Sequence, residues 1–200
     1  MKIVSIILVV ILLSLALVLI FSPKAPKDVQ ELQVSEKVDE QNTEVITLGG
    51  VVELTNFSFI GYGPGKSHEG VFNGYEVRNV RVNSNGVPVA GELIVKTASV
   101  RTDAALLDQH LCEKSEFFDC VKYPEIKFAL SNTTEMGAGE FQVGGDLTVK
   151  DVTKRVSFIV KAQTDRTFSS EFRLNMNDFG FKAPGIVDDE ALIRFAGKVN

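Results

Sequence analysis

The chain contains no tryptophan, two histidines and two cysteines, and each shortage removes a class of chemistry. A zinc centre takes three or four His, Cys or carboxylate ligands, and His68 and His110 are far apart in sequence. Asp108 and His110 form the nearest thing to a metal half-site or acid–base pair, but residues two apart on a helix point different ways. Cys112 and Cys120 lack the C-x-x-C spacing of a redox motif. No G-x-S-x-G, Walker loop or H-E-x-x-H is present, so an enzyme has no nucleophile–base pair to name. Positive charge is scarce too. Acidic residues outnumber basic ones 26 to 21, for a net charge of −5. No run of five basic residues occurs, and phosphate backbones are held by clustered Lys and Arg. Nucleic acid is not an expected partner, and no cofactor is required.

What the chain does have begins with an apolar run, Ile3 to Phe21, broken only by Ser5 and Ser14. A run of this length matches the roughly 20 residues that span a bilayer as a helix. Residues 1–22 therefore read as an N-terminal membrane anchor, or as a signal segment if the chain is cleaved after them. Residues 23–44 are polar, with two prolines, and read as a solvated linker. Residues 45–200 suit one domain of ordinary size. The domain faces the extracytoplasmic side of a membrane, or is secreted or periplasmic if cleaved.

Fourteen phenylalanines supply a large apolar payload. Most of them sit in segments that alternate with period two, the strand signal. Val52, Leu54, Phe57 and Phe59 mark one such segment; Leu93 and Val95 mark another; Ile126, Phe128 and Leu130 a third. Val156, Phe158, Val160 and Ala162 share one face, as do Phe168, Phe172, Leu174 and Met176. About eight antiparallel strands with short turns can close into a barrel wide enough for one slender ligand. Gly144 and Gly145 suit a bulge or a sharp bend. One stretch, residues 101–124, carries helical spacing at Ala104, Leu107 and Leu111, with Thr102 or Asp103 placed to cap it and Pro124 to end it. The glycine-rich GYGPGKSHEG stretch, residues 61–70, is expected as a rim.

Those segments together resemble a known family. The string with Asp108, His110 and Leu111, then Phe117, Phe118 and Asp119, then Tyr123, Pro124, Ile126 and Phe128 is similar to the hallmark of the YceI-like polyisoprenoid-binding proteins. A hairpin with Leu147, Thr148, Val152, Thr153, Lys154 and Val156, and a closing NMNDFGF, carry the resemblance to the C-terminus. Leu107, Asp151 and Asn177 depart from the pattern.

The resemblance implies an all-β, extended eight-stranded lipocalin-like barrel around an apolar tunnel. It implies a long isoprenoid ligand, such as a quinone tail or a polyprenyl lipid, bound without catalysis, and it allows a homodimer. Phe57, Phe59, Phe117, Phe118, Phe128, Phe158, Phe172 and Phe195 are then tunnel candidates, with the plainer alternative of a filled core. His68, Asp108 and His110 are candidates for headgroup or rim contact, against structural roles. In an oxidising compartment Cys112 and Cys120 would form a disulfide stapling the FFD loop; otherwise they are two half-buried thiols. A solid-cored structural or stress-related envelope protein and an isoprenoid-linked enzyme are the alternative readings.

Overall fold

The structure, a computed structural model, describes residues 22–35, 48–49, 51–83 and 85–200. The alternating segments become strands: β1 (Gln33–Ser35), β2 (Leu48–Gly49), β3 (Val52–Gly63), β4 (Lys66–Phe72), β5 (Tyr75–Val82), β6 (Pro88–Lys96) and β7 (Val100–Thr102). After a short helix α1 (Ala105–Glu113) come β8 (Glu125–Gly137), β9 (Glu140–Val149), β10 (Val152–Ala162), β11 (Thr167–Asn175) and β12 (Glu190–Val199). The ladders are antiparallel and form one curled sheet in the order β2-β5-β6-β8-β9-β10-β11-β12-β3-β4-β7, with β1 added against β10.

The described residues thus hold twelve strands, not eight. β1 and β2 are short additions. In addition, two long strands are each interrupted. Asn73 and Gly74 separate β4 from β5, and the 3-10 turn Thr97–Ser99 separates β6 from β7. The curl brings the two ends of the sheet together through these links, with Asn73 N–H donating to Ser99 O at 3.3 Å and Lys96 N–H to Gly74 O at 2.8 Å. Across the same gap, the Tyr75 hydroxyl donates to Leu54 O at 2.7 Å.

Three other expectations take a more definite form. The helical stretch shrinks to nine residues, because the chain turns back at Lys114 to bring Cys120 N–H onto Cys112 O at 2.8 Å. The glycine-rich rim is a tight hairpin: Gly63 pairs with Lys66 around Pro64 and Gly65, the latter at φ 76°. The linker, where described, is docked at two points while Lys24, Lys27, Asp28, Glu31 and Gln33–Ser35 stay exposed. Ala25 packs with Tyr62 and Leu192, beside Val29 and Ile60, and Leu32 enters the main core. A few apolar side chains in a polar segment suffice to dock it when a sheet face offers partners. The proposed anchor falls on residues 1–22, of which 1–21 lie outside the described residues; among the described residues no helix is long and apolar enough to cross a membrane.

Two buried clusters lie on the inside of the curl, one around Phe158, Phe172 and Phe179, the other around Phe59, Phe72 and Val100. Phe117, Phe118, Ile126 and Ile193 pack against both, so the interior is continuous. Ring packing sets the glycines here. A Cβ on Gly70 would lie 2.3 Å from the Phe59 ring, and one on Gly145 2.7 Å from the Phe128 ring.

Candidate functional site

Alternation alone cannot send both Leu54 and Phe57 to one face, since they differ in parity. The structure resolves this with a bulge. Ala196 pairs with Asn56 but Gly197 with Leu54, so Thr55 is extra and the inward set switches from even to odd numbers. A second bulge at Ser131 of β8, opposite Gly144 and Gly145, does the same between Leu130 and Thr133. The two glycines thus face the bulge, on the partner strand.

With parity settled, Phe57, Phe59, Phe117, Phe118, Phe128, Phe158, Phe172 and Phe195 all line a single cavity of about 1060 Å³. Phe72, Phe141, Phe168 and Phe181 line it too. Phe141 and Phe168 were legible from alternation; Phe72, at the last position of β4, and Phe181, in the loop after Gly180, were not. The rings form two connected runs. Phe57 and Phe59 lie 5.7 and 5.5 Å from Phe72, which meets Phe118 edge-on at 5.5 Å, and Phe118 meets Phe181 at 5.3 Å. Phe158 stacks on Phe172 at 4.8 Å and contacts Phe128 and Phe195. Such offset and edge-on pairs stabilise a wall without filling the space it encloses.

One end of the cavity is capped. Leu107 and Leu111 of α1, Phe117, Phe118 and Phe181 cover it. The Cys112–Cys120 disulfide is formed, and it closes the loop that carries the Phe pair. Lys150, in the left-handed conformation at φ 56° between β9 and β10, donates to Ser115 O at 2.7 Å and Gly180 O at 3.4 Å, pinning two cap segments. Burial holds the Lys150 ammonium below its usual range. The closing motif is a pin of the same kind: Lys154 donates to Asp178 at 3.1 Å, Phe179 is fully buried and Gly180 turns at φ 74°.

The expected rim residues are separated. Asp108 Oδ1 accepts from Thr102 N–H at 2.6 Å and Thr102 Oγ1 at 2.7 Å, which fixes the start of α1 to β7. Neither Thr102 nor Asp103 caps the helix by the expected side-chain bond; the N-cap is Ala104. Asp108 does not line the cavity, and His110 is exposed on the outer side of α1, also away from it. An i, i+2 pair on a helix diverges, as expected. His68 alone of the three reaches the lining, and its Nδ1 lies 2.6 Å from Asp103 Oδ1. That hydrogen bond, with a weaker one from Lys66, holds the Asp103 carboxyl below its ordinary range. Among the described residues no three His, Cys, Asp or Glu side chains are grouped to hold a metal.

The opposite end is a polar mouth. Asn85 and Gly86 of the β5–β6 turn, Gln163, Thr164 and Arg166 of the β10–β11 turn, and Asn200 line it. Among the described residues that line the cavity, Arg166 is the one Lys or Arg. Sequence reasoning missed this set, because turn residues carry no periodicity.

Comparison with known proteins agrees with this geometry. A UPF0312 protein of Pseudomonas putida is 30% identical over 167 residues, covering 78% of this chain and 81% of its own. One of Pseudomonas syringae is 37% identical over 102 residues, and the matched part spans about half (52%) of its length. Among solved structures, BcnA of Burkholderia cenocepacia superposes with a TM-score of 0.64 at 22% identity, over 72% of this chain and 95% of that one. A polyisoprenoid binding domain from Saccharophagus degradans superposes with a TM-score of 0.56 at 10% identity, over 74% and 97%. These two likenesses speak for the fold. The sequence profile of the YceI-like domain matches residues 37–199, the range that contains β2 to β12 and the cap, and the chain belongs to the YceI-like family.

Proposed function

We propose that this protein holds a single long isoprenoid chain, of the prenyl-quinone or polyprenyl type, inside the curled sheet, as a carrier and not as a catalyst. The observation that carries the reading is the phenylalanine-lined cavity of about 1060 Å³, at the upper edge of the roughly 300–1,000 Å³ usual for small-molecule sites. Each buried methylene contributes about 0.8 kcal/mol against water. A prenyl tail is equally at ease in a bilayer, so the protein competes with lipid solvation and exchange is reversible. The capped end takes the tail. The polar mouth takes the headgroup, where Arg166 can donate to a phosphate or a quinone carbonyl. His68 is a poorer headgroup ligand because its ring is already bonded to Asp103.

The setting we propose is the cell envelope, with the apolar segment 1–22 as the tether or signal and the domain on the extracytoplasmic side, where a disulfide persists. Tethering near a membrane raises the encounter rate with lipid. The relative from Saccharophagus degradans, a polyisoprenoid binding domain, supports the ligand class. No cofactor is needed. Native mass spectrometry of the exported protein tests the reading: one adduct of isoprenoid mass per chain is expected, and the same spectrum gives the oligomeric state. A protein that carries no such adduct and takes up neither added prenyl quinone nor polyprenol would sink the proposal and favour a structural envelope protein.

A further inference from the structure

The wall of the cavity is not knit evenly. β9 and β10 pair without a break from Val152↔Val149 to Lys161↔Glu140. β10 and β11 form ladder pairs only at Lys161↔Ser169 and Ala162↔Phe168, beside the mouth, supplemented by Gln163 N–H donating to Thr167 O at 2.8 Å and by the Ser170 hydroxyl donating to Ile159 O at 2.6 Å. In that register Ile159 should face Glu171, but the Gln30 side chain stands between them. Its amide nitrogen donates to Ile159 O and to Glu171 O, each at 2.9 Å, and its amide oxygen accepts from Ile159 N–H at 2.7 Å.

Beyond that point, toward the capped end, the N-terminal segment itself fills the gap. Arg173 N–H donates to Gln30 O at 2.8 Å and Leu32 N–H to Arg173 O at 2.9 Å, while Gln33, Val34 and Ser35 pair with Ser157, Val156 and Arg155. Leu32 is buried with Val156, Phe158 and Phe172 and lines the cavity. Residues 30–35 are therefore a piece of the cavity wall, although they precede the YceI-like match, which begins at residue 37.

The seam has the features of a passage and not of a sealed joint. The strand of its filler, Gln33–Ser35, is three residues long and exposed, and short exposed strands open at low cost; the buried Leu32 and the bonds from Arg173 to Val29 O at 3.2 Å and to Glu31 at 3.5 Å are what opening must release. Gln30 satisfies backbone groups that β10 and β11 would otherwise satisfy for each other. The chain before the segment also runs along the capped end, where Ser22 accepts from Gly65 N–H of the β3–β4 hairpin at 3.3 Å. The splayed half of the seam lies toward that same end.

We propose that the slot between β10 and β11 is a lateral passage for a prenyl or acyl chain between the cavity and a bilayer, and that residues 30–35 are its removable stopper. This rests on the lipid-binding reading above. When the stopper leaves, the tail slides sideways into the wall gap that Leu32 had occupied. The headgroup then need not thread the length of the cavity from the mouth, and it stays in polar surroundings while the tail crosses.

The test locks the stopper. Gln33 and Ser157 are directly opposed, and opposed antiparallel residues lie about 4.5–5.5 Å apart, within reach of a disulfide. The full chain with Gln33→Cys and Ser157→Cys is compared, oxidised and reduced, for uptake of a long-chain prenyl quinone from phosphatidylcholine vesicles. Wild type under the same reductant controls for loss of the Cys112–Cys120 bond. Oxidation should slow uptake by at least about tenfold, because it removes the open population, while the amount bound at long times stays unchanged. Leu32→Ala, which loosens the stopper without touching the long ladders, should speed uptake. Hydrogen exchange gives an independent readout: the amides of Leu32, Ile159 and Arg173 should exchange faster than those of the β9–β10 ladder. Locked protein that loads at the wild-type rate, or stopper amides as slow as the β9–β10 ladder, would overturn the passage and leave lipid binding standing. Wild type that takes up no prenyl quinone would overturn both.

Discussion

The two ends of the cavity are built by opposite means. The capped end is cross-linked at every scale: a disulfide, the Lys150 and Lys154 pins, the Asp108–Thr102 bonds and the fully buried Phe179. The mouth consists of turns whose lining side chains, Asn85, Gln163, Thr164 and Arg166, are exposed. Most residues that carry the family resemblance sit at the capped end. The lesson is that the hallmark of this chain records how the cap is held, while the residues that meet a headgroup lie in turns that no motif covers.

The sharpest way to break that contrast is to truncate one ring in the cap and one in the wall. Phe179→Ala should destabilise by about 3–5 kcal/mol, as expected for a fully buried aromatic, with denaturant unfolding as the readout. Phe195→Ala, half-buried against the cavity, should cost less stability and weaken isoprenoid binding more. Equal losses of stability with unchanged binding would mean that the wall rings are core and not lining.

Opening the disulfide with Cys112→Ser and Cys120→Ser should cost about 2–3 kcal/mol for so short a loop. It should also raise hydrogen exchange around Phe117 and Phe118 while leaving the mouth untouched. Asp108→Ala and His110→Ala separate two residues that look like one pair in the sequence. Loss of the two Thr102 bonds should cost about 1–3 kcal/mol. The exposed His110 should matter by less than about 0.5 kcal/mol in a thermal melt. At the mouth, Arg166→Gln should leave stability within about 0.5 kcal/mol and lower affinity for a phosphate-headed polyprenol more than that for a quinone, because the bond to a phosphate is charge-assisted at both partners. A change in stability instead would place Arg166 among the structural residues.

The smallest effect concerns acid. Hydrogen bonds from Lys96 and Lys127 draw the Glu125 carboxyl from the usual 4.5 down to about 2. A carboxylate whose pKa is depressed on folding stabilises the fold above its unfolded pKa, and this contribution fades as pH falls through the folded value. Wild type should therefore lose a little stability between about 4.5 and about 2 that Glu125→Gln does not lose, with no difference in slope above that window. Asp103, bonded by His68, should behave in the same direction. Identical acid slopes for wild type and Glu125→Gln would show that the pair contributes nothing.

Much of this protein was legible without its structure. Period-two alternation is a local property, so the strands and the inward sets of β8, β10 and β11 followed from residues two apart. The hallmark string identified the family, and the eight ring residues drawn from strands and the FFD loop all proved to line the cavity. The parity switches at Thr55 and Ser131 were invisible because a bulge is defined by the partner strand, not by the strand that carries it. The fates of Asp108, His110 and His68 depended on which elements fold over them, so adjacency in sequence misled. The linker misled for the same reason: its composition is polar, and only the splayed seam between β10 and β11 decides that Gln30 and Leu32 have somewhere to go. Local pattern determined what each segment is; long-range pairing decided where the cavity opens and what closes it.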